Sequence, residues 1–336
     1  MSDARVSHEI LRTDLLGRRP QPSTGGPTVA ATGEFALIDA VTAGLATSPE
    51  VVIGPGDDAA AVIFHGPTLV SVDVLVEGVH FRRDWSSAHQ IGRKAVAQNV
   101  SDIEAMGAVA KALVVGVSVP GDLPLSWASD LLAGMAAEAG LAGVVIVGGD
   151  TTSSRDITIS VTVLGGSDLP PVRRSGARPG NVVAFSGRLG WSAGGYVVLS
   201  RGFGSPRELV AAHQVPAPPY GQGRVAAAAG ATALIDVSDG LLSDAGHIAT
   251  ASGVAIDIDP AALPVSPELD RLGAATGVDP LTLVLTGGED HALLGCFPPG
   301  SVPEAWTVIG RVSEGSGVTV GGQEWSGPTG WDHFAR

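Results

Sequence analysis

The sequence predicts an α+β fold built as two α/β sandwich domains, and three observations carry that expectation. A chain of 336 residues is too long for one ordinary core and suits two. Helix-period and strand-like segments follow one another in mixed order on both sides of a Pro-, Arg-, Ser- and Gly-rich stretch at 167–180, which has the composition of a domain boundary. Apolar residues make up 44% of the chain, which supports packed interiors and excludes disorder as the general state.

The elements are expected in the following order. Residues 1–32 lack periodicity and read as a flexible leader. Phe35, Ile38, Val41 and Leu45 then repeat at helical spacing from Glu34 to the breaker Ser48-Pro49. β-rich runs at 51–54, 59–64 and 68–76 are separated by Gly-Pro-Gly and His-Gly-Pro turns. Ile91, Val96, Val100, Ile103 and Met106 predict a helix over 87–106 that Gly107 closes. A strand at 109–119, a helix near 125–140 and strands at 143–147 and 157–165 complete a domain over 33–166, a mixed sheet packed by helices.

Beyond the boundary, the second α+β sandwich occupies 167–336. Its strands are expected at 181–186, 232–237, 254–258, 281–285, 291–297 and 305–312, and its helices at 192–200, 222–229, 241–251 and 266–275.

Thirty-four acidic against twenty basic side chains leave a net charge of −14, which repels nucleic acid and anionic membranes. Polyanionic substrates must then arrive with cations. No apolar run reaches the roughly 18 residues needed to span a bilayer, and the polar N-terminus carries no targeting signal. Cys296 is the one cysteine and sits in an apolar run, which fits a small packed hydrophobe in a reducing cytoplasm.

Several aspartates occupy the ends of apolar runs: Asp57-Asp58, Asp73, Asp150, Asp236 and Asp239. Burying a carboxylate costs several kcal/mol unless a cation or several donors answer it. The chain has only two lysines, Lys94 and Lys111, so metal is the expected answer. Ile53-Gly54-Pro55-Gly56-Asp57-Asp58-Ala59 matches G-x-G-x-x-A, yet two carboxylates stand where a pyrophosphate would go and no helix follows. A plain acidic turn and a cation-binding turn remain. Ser71-Val72-Asp73 reads either as a strand-end cap or as a ligand set, and Asp102 lies among small apolar helical neighbours.

Gly148-Gly149-Asp150 and Gly287-Gly288-Glu289-Asp290 put glycines before acids, which suits a tight turn or close approach to a ligand. Asp236-Val237-Ser238-Asp239-Gly240 sets two carboxylates and a hydroxyl at a strand-to-helix corner, where Ser238 or Asp239 could also serve as an N-cap. Oxygen donors without a His or Cys cluster favour magnesium over zinc. Magnesium completes its shell with substrate phosphates, so a nucleotide is the natural companion, although no P-loop or V-A-I-K lysine is present.

In order, Gly33-Glu34-Phe35, Gly56-Asp57-Asp58-Ala59, Ser71-Val72-Asp73, Glu77-Gly78-Val79-His80-Phe81, Lys94-Ala95-Val96, Asn99-Val100-Ser101-Asp102, Gly148-Gly149-Asp150-Thr151-Thr152, Arg174-Ser175-Gly176-Ala177-Arg178-Pro179-Gly180, Asp236-Val237-Ser238-Asp239-Gly240-Leu241, Gly287-Gly288-Glu289-Asp290 and Gly330-Trp331-Asp332-His333-Phe334 resemble thiamine-monophosphate kinases. The likeness runs from residue 33 to 334. That family belongs to the superfamily of aminoimidazole ribonucleotide synthetase, ATP users without a P-loop that dimerise through their N-terminal domains.

The resemblance implies ATP-dependent phosphorylation of thiamine monophosphate to thiamine diphosphate, the last step of that cofactor's biosynthesis, by a cytoplasmic homodimer. It implies an ATP- and magnesium-binding, dimer-forming domain at 33–166. Asp58, Asp73, Asp102, Asp150, Asp236 and Asp239 would hold several Mg2+ ions, with Ser71 and the Val72 carbonyl assisting. Within that set, Asp73, Asp102, Asp150 and Asp239 would carry catalysis. Gly149, Asp150, Arg174 and Ser238 match ATP-contacting positions, and His80, Glu289 and Trp331 match the thiamine pocket.

The family commonly has Thr where Val72 and Val74 stand, and Gly-Ile-Gly where this chain has Gly54-Pro55-Gly56. Other ATP-using members of the superfamily rely on an N-terminal Cys or selenocysteine, or on a C-terminal Cys, which this sequence lacks. A non-catalytic divalent-cation-binding protein is the alternative from a different class.

Overall fold

The computed structural model describes residues 26–33, 37–39, 42 and 44–331. Glu34, Phe35 and Val41 of the first expected helix, and Asp332, His333 and Phe334 of the closing motif, lie outside the described residues; residues 37–39 and 42 are helical. Part of the expected leader is folded. Thr28 caps a one-turn helix α1 (Val29–Thr32), and the Val29 and Ala30 amides donate to the Leu123 and Gly121 carbonyls at 2.9 Å.

A small antiparallel pair, β1 (Val51–Ile53) and β2 (Ala61–Val62), precedes β3 (Thr68–Val76). Helix α2 (Ala88–Glu104) begins at a capping box in which Ser87 and Gln90 bond each other's backbone, satisfying amides that the first turn leaves without partners. Then come β4 (Val109–Val119), α3 (Leu125–Ala142), β5 (Val145–Ser153) and β6 (Thr158–Gly166). The four long strands form a mixed sheet in the order β3-β6-β4-β5. Strand β6 is antiparallel to β3 and β4, while β4 and β5 run parallel. Helices α2 and α3 cover one face, where Ile91, Val100, Ile103, Leu113, Met135, Ile159 and Val161 form the core.

The Gly148-Gly149-Asp150 segment lies inside β5 and not in a turn. Gly149 is needed there for packing: a Cβ would fall 2.1 Å from the Val115 carbonyl oxygen of β4.

The second half contains β7 (Val182–Ser186), α4 (Trp191–Ser200), α5 (Arg207–Gln214), α6 (Gln222–Ala228), β8 (Ala233–Val237), α7 (Leu241–Ser252), β9 (Ala255–Ile258), α8 (Pro267–Thr276), α9 (Pro280–Thr286), β10 (Ala292–Phe297), β11 (Thr307–Ser313), β12 (Gly317–Val320) and β13 (Gln323–Glu324). Its sheet has the order β13-β12-β9-β11-β7-β10-β8, so the α+β expectation holds for both halves.

One element changes type. Residues 281–285, expected as a strand, form helix α9, because Asp279 accepts the Leu281 and Thr282 amides and Pro280 pre-sets the first turn. Sequence periodicity also passed over α5, which buries only Leu209 and Ala212, and the short strands β12 and β13.

The last turns of α2 join the two sheets. Glu104, itself buried, accepts the Gly221 and Gly223 amides at 2.9 Å, and burial pushes its carboxyl above the usual range. Three residues earlier, Ser101 reaches β8.

Candidate active site

Strand β3 alternates its side chains between two environments. Ser71 and Asp73 turn toward α2, whereas Val70, Val72 and Val74 are exposed. The Ser71 hydroxyl donates to Asp102 at 2.6 Å. Gln98 donates to the Asp73 carboxylate at 3.1 Å, and Asn99 accepts the Asp73 amide at 3.0 Å. Asp236, buried in β8, accepts the Ser101 hydroxyl at 3.1 Å and stands 3.1 Å from His291 Nδ1.

These contacts bring three carboxylates from β3, α2 and β8 into one electrostatic group. Burial first, then repulsion from Asp236 and Asp73, pushes Asp102 up to about 7 against the opposing Ser71 bond. Burial works against protonation of His291, but its hydrogen bond to Asp236 together with the charges of Asp236, Glu289 and Asp73 outweighs that effect and raises it. Three carboxylates and a hydroxyl form an all-oxygen donor set whose members repel one another, which fits a hard divalent cation.

The corner after β8 adds a second acidic group. Asp244 accepts the Asp239 and Gly240 amides at 3.2 and 3.1 Å, while burial, followed by Asp236 and Asp239, drives it up to about 7. Ligand atoms of Asp239, Asp244 and His247 all lie within 4.8 Å of one another. The same corner holds the expected thiamine-side residues: Trp331 donates its amide to the Asp239 carbonyl at 2.9 Å, and Glu289 donates its amide to the Ser238 carbonyl at 2.7 Å.

Glu289 and His291 have φ of 62° and 52°, a left-handed conformation that non-glycine residues adopt only where surroundings enforce it. Between them, Asp290 turns inward and accepts the Ser192 amide at 2.8 Å and the Gly190 amide at the start of α4. The Glu289 carboxylate meets Lys94 Nζ at 3.0 Å, and Lys94 also donates to the His80 carbonyl at 2.9 Å. His80 Nδ1 in turn accepts the Val76 amide at 3.0 Å.

Asp58, Gly149, Asp150 and Arg174 are exposed. Among the described residues, none of the four is hydrogen-bonded to Asp73, Asp102 or Asp236; Asp58 donates its amide to Asp57, and the Arg174 carbonyl accepts the Ser252 hydroxyl at 3.3 Å.

Residues 56–166 match the family described as AIR synthase related protein, N-terminal domain. Over 318 residues the chain is 51% identical to the thiamine-monophosphate kinase of Mycobacterium tuberculosis, covering 94% of this chain and 95% of that one. The chain belongs to the thiamine-monophosphate kinase family. Its relative of that name from Corynebacterium glutamicum is 39% identical, with 88% and 90% of the two chains covered. A solved thiamine-monophosphate kinase, AaThiL complexed with AMPPCP and TMP, superposes with a TM-score of 0.76 at 32% identity, covering 95% of this chain and all of that one. The Aquifex aeolicus thiamine-monophosphate kinase crystal structure has a TM-score of 0.73 at 36% identity over 77% of this chain and 89% of that chain.

Set against the motifs of the thiamine-monophosphate kinase family, the site has supporting residues that sequence reasoning left without a role: Lys94, Gln98, Ser101, Asp244 and His291. A signal for the first three was present. Lys94, Gln98 and Ser101 recur at four- and three-residue spacing and share one face of α2 with Asp102, a polar stripe on a helix whose other positions are mostly apolar.

Proposed function

We propose that this protein transfers the γ-phosphoryl group of ATP to thiamine monophosphate, giving thiamine diphosphate and ADP. The likeness that carries this reading is the one to the kinase complexed with AMPPCP and TMP, which extends over 95% of the chain. An oxygen of the substrate monophosphate bonds to the γ-phosphorus as the bond to the β,γ-bridging oxygen breaks, and that electron pair leaves on ADP. The attacking phosphate is largely ionised near neutral pH, since its second pKa is about 6, so no side chain has to remove a proton.

The work left to the protein is alignment of two anions and neutralisation of their charge. Magnesium ions, when bound, would supply positive charge that offsets the repulsion of the two anions. Asp73, Asp102, Asp236 and Ser71 form the inner oxygen set for them, and Asp58, Asp150, Asp239 and the Val72 carbonyl are proposed to complete it. Gly149, Arg174 and Ser238 are assigned to ATP, where the Arg174 fork suits bidentate phosphate contact. His80, Glu289 and Trp331 are assigned to the thiamine moiety, whose cationic ring suits a carboxylate and an indole face. In this reading residues 33–166 form the ATP- and magnesium-binding domain, and residues 167–336 form the second domain, which contributes Asp236 and Asp239 to the metal set and Arg174 and Ser238 to ATP.

A homodimer through the first sheet is part of the same proposal. Val70, Val72 and Val74 are 62%, 55% and 45% exposed along β3, and Val114 of β4 is 39% exposed, an apolar strip that a second copy would cover. Val72→Glu is expected to convert the dimer to monomer in light-scattering chromatography; an unchanged mass would remove this strip from the interface. The compartment proposed is the cytoplasm, in keeping with the buried Cys296 thiol, which burial pushes up to about 12.

Incubation of the protein with magnesium, ATP and thiamine monophosphate, followed by anion-exchange separation, is expected to yield thiamine diphosphate and ADP in equal amounts. ATP consumption without thiamine diphosphate would move the assignment to another substrate of the superfamily. Metal binding with no nucleotide dependence would favour the non-catalytic reading.

A further inference from the structure

Lys94 is an ammonium group buried to 2% exposure, and in a chain with two lysines it is spent on two residues of the proposed thiamine pocket. It donates to Glu289 Oε1 at 3.0 Å and to the His80 carbonyl at 2.9 Å. Those partners come from distant segments, the turn after β3 and the loop before β10, so one cation on α2 ties the two walls together. The pair is asymmetric: the Lys94 side chain is 3% exposed and that of Glu289 37%, which leaves the carboxylate accessible while its counter-ion is sealed behind it. A buried cation with no carboxylate would be costly, so Lys94 in turn fixes where Glu289 stands, in the left-handed conformation with φ of 62°.

The other neighbour does not duplicate this. His213 Nδ1 lies 3.6 Å from Glu289 Oε2 and 3.1 Å from the Ser192 hydroxyl, but burial, followed by Lys94, pulls His213 down to about 4, so it is neutral near pH 7. Partial burial pushes Glu289 upward, yet the charge and hydrogen bond of Lys94 together with the charges of His213 and His291 more than reverse this, to about 2. Lys94 is thus the cation hydrogen-bonded to Glu289, with His291 acting on it only through its charge.

We propose that Lys94 is the positioning residue of the thiamine wall: it holds the Glu289 carboxylate and the His80 backbone in one register, so that its loss weakens capture of thiamine monophosphate and leaves ATP capture intact. The inference rests on the assignment of Glu289 and His80 to the thiamine pocket.

The test is steady-state kinetics of the full-length enzyme, with each substrate varied in turn, for wild type, Lys94→Met, Glu289→Gln and the double variant. Lys94→Met is expected to raise KM for thiamine monophosphate roughly 10- to 100-fold, the scale of one hydrogen bond to a charged group, with KM for ATP within about twofold. The double variant should lose little beyond the worse single variant, because the two residues act as one unit. An unchanged KM for thiamine monophosphate, equal rises in both KM values, or a fall in kcat alone would overturn the proposal. Should Lys94→Met fail to fold by circular dichroism, Lys94→Gln keeps a donor for both oxygens and is expected to show an intermediate KM; a wild-type KM would overturn it equally. Wild-type enzyme that makes no thiamine diphosphate would instead sink the proposed function.

Discussion

Asp102 and Asp236 are gripped from both halves of the molecule, whereas Asp58 and Asp150 stand exposed without a comparable grip. Ser71, Ser101 and His291 hold the inner pair in place before any ligand arrives. The outer pair lies on the β1–β2 connection and on β5, open to solvent. Two solutions to one electrostatic difficulty are visible here. The inner group accepts mutual repulsion in exchange for fixed geometry, and the outer group avoids repulsion by remaining hydrated. Stored repulsion should therefore be measurable in the inner group alone.

The largest expected effect tests that difference directly. Asp102→Asn is expected to lower kcat on the order of 10²- to 10³-fold, the scale seen when one preorganised electrostatic contact is lost, while raising the melting temperature of the metal-free protein. Asp150→Asn should lower activity without that rise, because no like charge is relieved. A fall in melting temperature for Asp102→Asn would break the comparison.

pH sharpens it. The Asp102 carboxyl has an ordinary value of 3.8 and stands at about 7 in the fold, so the folded state binds its proton more tightly than the unfolded chain does. Its contribution to stability is thus fully present below about pH 4 and is lost as pH rises through 7. In metal-free protein, the stability difference between Asp102→Asn and wild type should grow across that window and level off above it, as followed by thermal melts. Asp244 and Asp290 also stand at about 7, but they are common to both proteins and cancel.

The sequence exposed the inner group and hid its supports, for a physical reason. A carboxylate at the end of an apolar run, as at Asp73 and Asp236, or among small apolar helical neighbours, as at Asp102, is improbable enough to notice alone. Ser101 leaves only the trace of a polar stripe on α2, and His291 is an ordinary residue type whose importance arises only from its contact with Asp236, 55 positions away. Glycine carried the opposite lesson. Gly149 reads as room for a ligand, yet its missing Cβ is taken up by the neighbouring strand. The second half was mis-read where local chemistry competes with composition: Leu281, Val284 and Leu285 resemble a strand run, and Asp279 with Pro280 decides for helix.

On the exposed side, effects should fall on ligand capture and not on stability. Arg174→Ala is expected to raise KM for ATP about 10- to 100-fold, as for loss of a charge-assisted phosphate contact, with the melting temperature unchanged and KM for thiamine monophosphate near wild type. A stability loss instead would place Arg174 among the structural supports of the 167–180 connection.

The smallest effect belongs to Trp331. Trp331 is 50% exposed, and its amide donates to the Asp239 carbonyl at 2.9 Å, a bond that replacement of the side chain by Ala or Phe retains. A cation over an exposed aromatic face is worth about 0.5–1 kcal/mol, which converts to roughly a two- to fivefold rise in KM for thiamine monophosphate in Trp331→Ala. Trp331→Phe should recover most of it, because a ring face remains. If alanine and phenylalanine behave alike, the indole contributes something other than its face. If neither changes KM, capture of the thiamine cation rests on Glu289 and the lysine behind it.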